Sequence, residues 1–262
     1  MGDQDRFGHL ELDSAGEGVA RTERTFDAEE YVRKAGDLEW NGEHDGALRL
    51  YARALSHNPH HEGAWVGQLR CLVAVGDNDE AILWAEKAAE YLPRSGPVRA
   101  WKAVAVARTG ATGEAQTISD DALRLGNSPD VWLARGWVHG TSRPEPAARC
   151  MDKALELGGK DPGVLLQVAS FYTETKRYSR GLKVLQELTA ARPAISYSWY
   201  LLGQCYGALG MRDQAVQALE QAVSKAPTRR AYREALLVVQ GQGGLATVLK
   251  RIFSLLLQLI FV

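Results

Sequence analysis

Small and apolar residues recur along the chain in two interleaved series that share one period. The first series is Ala47, Ala81, Ala115, Ala147, Gly181 and Ala215, at intervals of 34, 34, 32, 34 and 34 residues. The second is Ala54, Ala88, Ala122, Ala154, Leu188 and Ala222, and prolines follow it at Pro59, Pro93, Pro193 and Pro227. Between the markers the apolar positions are spaced by three and four, as on one face of a helix. Two marker series with one period predict stacked helix-turn-helix units, each burying its apolar stripe only against its neighbours. The units fall at about 28–59, 62–93, 96–127, 128–159, 162–193 and 196–227, within a repeat region 27–227.

The last unit carries the fullest pattern: Trp199, Leu202, Gly203 and Tyr206 in the spacing W-x₂-L-G-x₂-Y, then Ala215, Ala222 and Pro227. This stretch resembles the tetratricopeptide repeat (TPR) family, departing only at Leu219, where an aromatic is usual. The resemblance implies an all-α fold, a right-handed α-solenoid of stacked hairpins, in which Gly203 lets the second helix approach and small residues keep the crossing tight. Units one and two follow the pattern, with Gly42 and Gly76 in their turns and Trp65 at the aromatic position. Unit three keeps Gly110, but Trp101 lies two places late. Unit four is two residues short and has Arg143-Pro144-Glu145-Pro146 at its turn; prolines cannot lie in a helix interior, so this turn is expected to be remodelled. Unit five has Gly181 and Leu188 for alanines and Tyr172 and Tyr178 around its turn.

At the start of the repeats Asp27 is placed to cap a helix whose first turn holds Glu29 and Glu30. Residues 1–26 are polar and acidic and are expected to form a flexible leader. Beyond the repeats, 228–240 predicts one capping helix for the last apolar face, and 241–244 a glycine-rich break. Residues 245–262 read as an amphipathic helix, with Leu249, Ile252, Phe253, Leu256, Leu259 and Ile260 on one side and Lys250 and Arg251 among the polar positions. Past Arg251 only about 16 Å of helix remains, too short to span a hydrocarbon core of roughly 30 Å. Three placements stay open for it: in the plane of a membrane surface, folded back on the repeats or against a partner helix, or as a truncated membrane-spanning segment.

Composition narrows the function. With 31 basic and 32 acidic residues, a net charge of −1 gives no reason to expect nucleic acid as a partner. Cys71, Cys150 and Cys205 are far apart with no C-x-x-C, which suits small apolar fillers in a reducing compartment. The start carries no secretory signal pattern, so a cytoplasmic location is expected, with the 245–262 helix as the alternative tether to a membrane surface. No nucleophile elbow, phosphate loop, dinucleotide fingerprint or zincin motif occurs. The chain is therefore expected not to be an enzyme and to need no cofactor. His57, His60 and His61, with His44 nearby, sit around an inter-unit turn and are expected to be solvated rather than to hold a metal.

The resemblance places a partner's peptide or helix in the concave groove lined by first helices. Carried over position by position, the groove residues are Val32, Trp40, Val66, Arg70, Val104, Arg108, Trp132, His139, Leu166, Ser170, Glu174, Tyr197, Tyr200 and Gln204. Arg70 and Arg108 are candidates to meet an acidic ligand, and Trp132, Tyr197 and Tyr200 to anchor an apolar one. The chaperone-tail-binding members use a Lys/Asn/Arg clamp. Here the ninth positions are Gly36, Arg70, Val104, Gly136, Ser170 and Gln204, without the asparagine. The expected role is a protein-interaction scaffold with a protein or peptide partner; a membrane-surface adaptor and a regulatory subunit acting on an enzyme in trans are the alternatives.

Overall fold

All twelve residues of the two marker series are buried in the computed structural model of the protein, which describes residues 27–140 and 142–241. The series lie on the second helices of six hairpins: α1 (Ala28–Trp40) with α2 (His44–His57), α3 (Glu62–Val75) with α4 (Asn78–Tyr91), and α5 (Gly96–Arg108) with α6 (Thr112–Leu125). Then come α7 (Pro129–His139) with α8 (Pro144–Gly158), α9 (Pro162–Glu174) with α10 (Tyr178–Ala191), and α11 (Ser196–Ala208) with α12 (Arg212–Lys225). A thirteenth helix, α13 (Arg230–Val239), follows. No strand occurs among the described residues, and the fold is an all-α repeat solenoid.

Local chemistry sets the ends. The Asp27 carboxylate accepts a hydrogen bond from the Glu30 amide at 2.8 Å and starts α1. Between first and second helices the chain turns through a residue of positive φ each time: Gly42, Gly76, Gly110, Gly140, Lys176 and Gly210. In the short fourth hairpin, Pro144 and Pro146 both lie in the first turn of α8, where a missing N–H costs no intrahelical bond.

The tryptophan of the pattern has a polar task as well as a packing one. Trp65 Nε1 donates to the Pro59 carbonyl at 2.8 Å and Trp199 Nε1 to the Pro193 carbonyl at 2.9 Å, tying each first helix to the turn before it. In the third unit Arg99 occupies that position and reaches the Pro93 carbonyl at 3.5 Å. Trp101 is thereby released for a different partner, described below.

First helices that meet both their own hairpin and a preceding one can be buried on more sides than their second helices. Nine residues of α3 are buried, against three of α4. The closest approaches need glycine: a Cβ on Gly67 would stand 2.2 Å from the Tyr51 ring, one on Gly136 2.2 Å from Met151, and one on Gly203 2.5 Å from Leu219. The chain forms two compact units, one ending at Val164 and the other beginning at Leu165. Within each, second helices also pack on the following first helix, as α2 does on α3 and α12 on α13.

Candidate functional site

In the first unit the inner ends of α1, α3, α5 and α7 converge on an ionic cluster. Arg70 Nε and Nη2 donate to the two Glu39 carboxylate oxygens at 2.7 and 2.9 Å, and Arg70 Nη1 donates to Asp130 at 3.1 Å. The Tyr51 hydroxyl donates to Glu39 at 2.7 Å, and Trp101 Nε1 to Asp130 at 3.2 Å. Glu39 is 4% exposed. Burial pushes its pKa up, but the Arg70 charge and the bonds from Arg70 and Tyr51 outweigh it and hold the carboxyl below its ordinary range. The same surroundings push the Tyr51 phenol well up, through burial first and the Glu39 charge second. These groups keep fixed charge states near neutrality, so the cluster binds helices together and offers no general acid or base.

A cavity of about 330 Å³ opens beside it, with Trp40, Val66 and Gly36 among its walls. Trp40 also crowds the start of α9: its Nε1 lies 3.2 Å from where a Gly163 Cβ would stand.

The second unit is different. A groove of about 950 Å³ runs along α11, bounded by the second-unit part of α9 and by α13. Its walls carry Ser170, Glu174, Tyr197, Tyr200 and Gln204, with Glu234 on the far side. Tyr197, Tyr200 and Tyr232 form a ladder: Tyr197 and Tyr200 are 6.0 Å apart between centroids, Tyr200 and Tyr232 4.7 Å, both nearly parallel. Gln204 Nε2 donates to the Tyr200 hydroxyl at 2.8 Å. Burial, then the neighbouring tyrosines and Glu174, push the Tyr197 phenol up to about 12. It is a neutral hydrogen-bonding group at any physiological pH.

Family models for the tetratricopeptide repeat match residues 41–93 and 197–228. These two stretches are tetratricopeptide repeats, and the other described hairpins repeat the same helical arrangement. The fold of the chain is similar to that of Cut9–Hcn1 from an APC/C hetero-tetramer (15% identity, 81% of this chain and 43% of that one, TM-score 0.52). It is similar too to PilW, a type IV pilus biogenesis factor (15% identity, 81% and 98% covered, TM-score 0.50). A third likeness is YrrB, a TPR protein with an unusual peptide-binding site (19% identity, 71% and 96% covered, TM-score 0.45). No curated protein matches the sequence. Tetratricopeptide repeats are in general protein-interaction scaffolds without catalytic chemistry of their own.

The groove positions carried over from the TPR pattern do not share one environment. Val66, Val104, Leu166 and His139 are buried, at 3, 1, 3 and 7% exposure, and serve packing first. His139 is held below the usual histidine pKa by burial and then by the charges of Arg135 and Arg143. Arg70 has its charge answered by Glu39 and Asp130, which corrects the expectation that it waits for an acidic ligand. Arg108 is exposed, with its guanidinium 5.1 Å from the Trp137 ring. Trp132 is partly exposed, its Nε1 bonded to Asn127 at 2.6 Å. Trp40 lines the small cavity, while Glu174, Tyr197, Tyr200 and Gln204 line the large one together. Glu39, Trp101 and Asp130 were missing from the carried-over set; the displaced tryptophan was the one sign of them in the sequence.

His57 and His60 are exposed, as expected of a solvated turn, and His61 is partly so, yet each ring has a structural contact. His61 Nδ1 accepts from the Ala64 amide at 3.1 Å and caps α3, His60 Nδ1 lies 3.2 Å from the Tyr91 carbonyl, and His57 stacks on Tyr31. The rings serve separate structural tasks, and no metal-holding group occurs among the described residues. Cys71, Cys150 and Cys205 are free thiols, all buried, with pKa values raised chiefly by burial. The residues read as a membrane or partner helix, Leu249, Lys250, Arg251, Ile252, Phe253, Leu256, Leu259 and Ile260, lie outside the described residues. No described helix is long and apolar enough to cross a membrane.

Proposed function

We propose that the protein is a non-catalytic scaffold that takes a segment of a partner protein in the tyrosine-lined groove of its second unit. The observation that carries this reading is the contrast between the two first-helix faces. In the first unit the inner face is occupied by the protein's own Glu39–Arg70–Asp130 cluster and leaves about 330 Å³. In the second unit about 950 Å³ stays open beside partly exposed Tyr197, Tyr200 and Gln204. Stacked tyrosines give large contact area at low entropy cost and combine an apolar body with a hydroxyl, the properties of binding hot spots. Glu234 on the far wall is already paired with Arg230 at 2.6 Å, so recognition rests on the tyrosines and Gln204 rather than on charge.

The test is selection of a displayed peptide library on the full chain, followed by affinity measurement on variants. Tyr200→Ala and Gln204→Ala should each weaken the selected peptides at least tenfold with helical content unchanged, and Trp40→Ala should leave them unaffected. Peptides that lose affinity with Trp40→Ala and keep it with the other two would place the site in the first unit and overturn the reading.

A further inference from the structure

The formal charge of the whole chain, −1, conceals two opposite parts. Residues 27–164 carry 16 Lys and Arg against 21 Asp and Glu, a net −5, whereas residues 165–241 carry 10 against 5, a net +5. We propose that the partner segment taken by the tyrosine groove bears acidic residues beside its groove-bound part, and that basic residues flanking the groove steer it there. The proposal rests on the reading of that groove as the partner's site and adds the charge of what enters it.

The positive charge of the second unit is gathered on both sides of the groove. On one side Tyr178 lines the groove at the start of α10, and Lys176, Arg177, Arg180 and Lys183 stand around it in the chain. On the other side Arg230, Ala231 and Glu234 of α13 line it, with Arg229 and Arg233 as their chain neighbours. Arg230 is answered by Glu234 at 2.6 Å. Lys176, Lys183 and Arg233 are exposed and form no ion pair among the described residues.

Local stability does not account for these charges. Lys176 adopts φ +60 where the other five hairpin turns hold glycine, a conformation that strains any residue with a Cβ. The helices α2, α4, α6, α8 and α12 each have an acidic residue in the first turn, where the helix dipole favours one, and α10 has none. Positive charge at this place works against its own hairpin and acts on what approaches from outside.

The walls and the flanks therefore have different tasks. The tyrosines and Gln204 hold the segment, and Glu174 and Glu234 stand on the walls beside them. A phosphate backbone in the groove would meet those carboxylates, which favours a protein segment whose acids lie beyond the walls. Charges outside the contact raise the association rate and set selectivity more than they slow dissociation, because the field draws in an oppositely charged segment before it docks.

Stopped-flow association on the full chain tests this, with a groove-selected peptide flanked at both ends either by glutamates or by glutamines. At about 20 mM salt the glutamate form should associate at least roughly tenfold faster; the advantage should fall below about twofold at about 0.5 M salt, with dissociation rates agreeing within about twofold throughout. The triple variant Lys176→Gly, Lys183→Gln, Arg233→Gln should cut the low-salt advantage at least roughly threefold. Glycine relieves the positive φ at 176 and the other two side chains are exposed, so the fold is kept. Equal association of the two peptides at low salt, or an advantage that the triple variant leaves intact, would overturn the proposal. If Tyr200→Ala still weakens both peptides in that case, the groove reading stands without it. Displacement of the glutamate peptide by a single-stranded oligonucleotide or by anionic vesicles at equal charge concentration would overturn it too, assigning the basic flanks to nucleic acid or to a membrane surface.

Discussion

Replacing Arg70 with alanine removes three charge-assisted hydrogen bonds, of 2.7, 2.9 and 3.1 Å, and leaves Glu39 buried with the Tyr51 hydroxyl as its remaining strong donor. Stripping one partner from a buried ion pair costs about 3–5 kcal/mol. The Glu39 side chain is 4% exposed and that of Arg70 19%, so solvent cannot take over. The Asp130 contact contributes less, because that side chain is 30% exposed. The expected loss at pH 7 is therefore about 3–4 kcal/mol, set mainly by Glu39.

The pH dependence separates this cause from simple loss of packing. In the native chain the Glu39 pKa is lowered in the fold. Its stabilisation is thus complete above the unfolded value of about 4.3 and is lost as pH falls through the lower folded value. Without Arg70 burial dominates, the folded pKa lies above the unfolded one, and stability rises as pH falls from 7 toward about 4.3. The gap between Arg70→Ala and the native chain should accordingly narrow between pH 7 and pH 5. Urea unfolding followed by helical circular dichroism measures it, with an unchanged slope showing that the same surface is exposed. In a Glu39→Gln background, which carries no buried charge, Arg70→Ala should cost about 2 kcal/mol less. A penalty equal at both pH values and in both backgrounds would show that the pair is not coupled.

Further outcomes concern two glycines and one histidine. Gly67→Ala should cost about 1–3 kcal/mol, because its Cβ meets the Tyr51 ring and pushes the phenol off Glu39, whereas Gly36→Ala, with open space at its Cβ inside α1, should stabilise by about 0.5–1 kcal/mol in the same unfolding assay. His139 should stay neutral below pH 6.5 in an NMR titration, since burial and then Arg135 and Arg143 lower its pKa; its contribution to stability is lost as pH falls from about 6.5 through the folded value, and His139→Gln should flatten that slope.

The hairpins were legible because each rests on contacts within about 34 residues. Ala47 and Ala54, or Gly76 before α4, mark a crossing or a turn within their own unit, and those marks repeat. That Pro144 and Pro146 stay out of a helix interior was legible for the same reason, although they open α8 rather than lie in the turn before it. The contents of the inner face were not. Arg70 stands at a ligand-facing position of the pattern, and its answering carboxylates lie 31 residues before it and 60 after it, in other hairpins. A single-unit pattern records which positions face inward. It does not record whether the inward residues of different units find one another.

That distinction also bears on where a partner can bind. Inward residues that pair across units add to the stability of the stack and are withdrawn from recognition, because breaking Arg70 away from Glu39 to meet a ligand's carboxylate exchanges one ion pair for another while leaving a carboxylate buried alone. Inward residues that stack without charge keep their outer faces available. Tyr197 is neutral, both it and Tyr200 are only partly exposed, and Gln204 already holds the Tyr200 hydroxyl in position, so a ligand meets a surface whose side-chain entropy was lost in folding. Removing that preorganisation while leaving the ring in place, as Gln204→Ala does, should therefore weaken a groove-bound peptide even where Gln204 itself makes no contact with it.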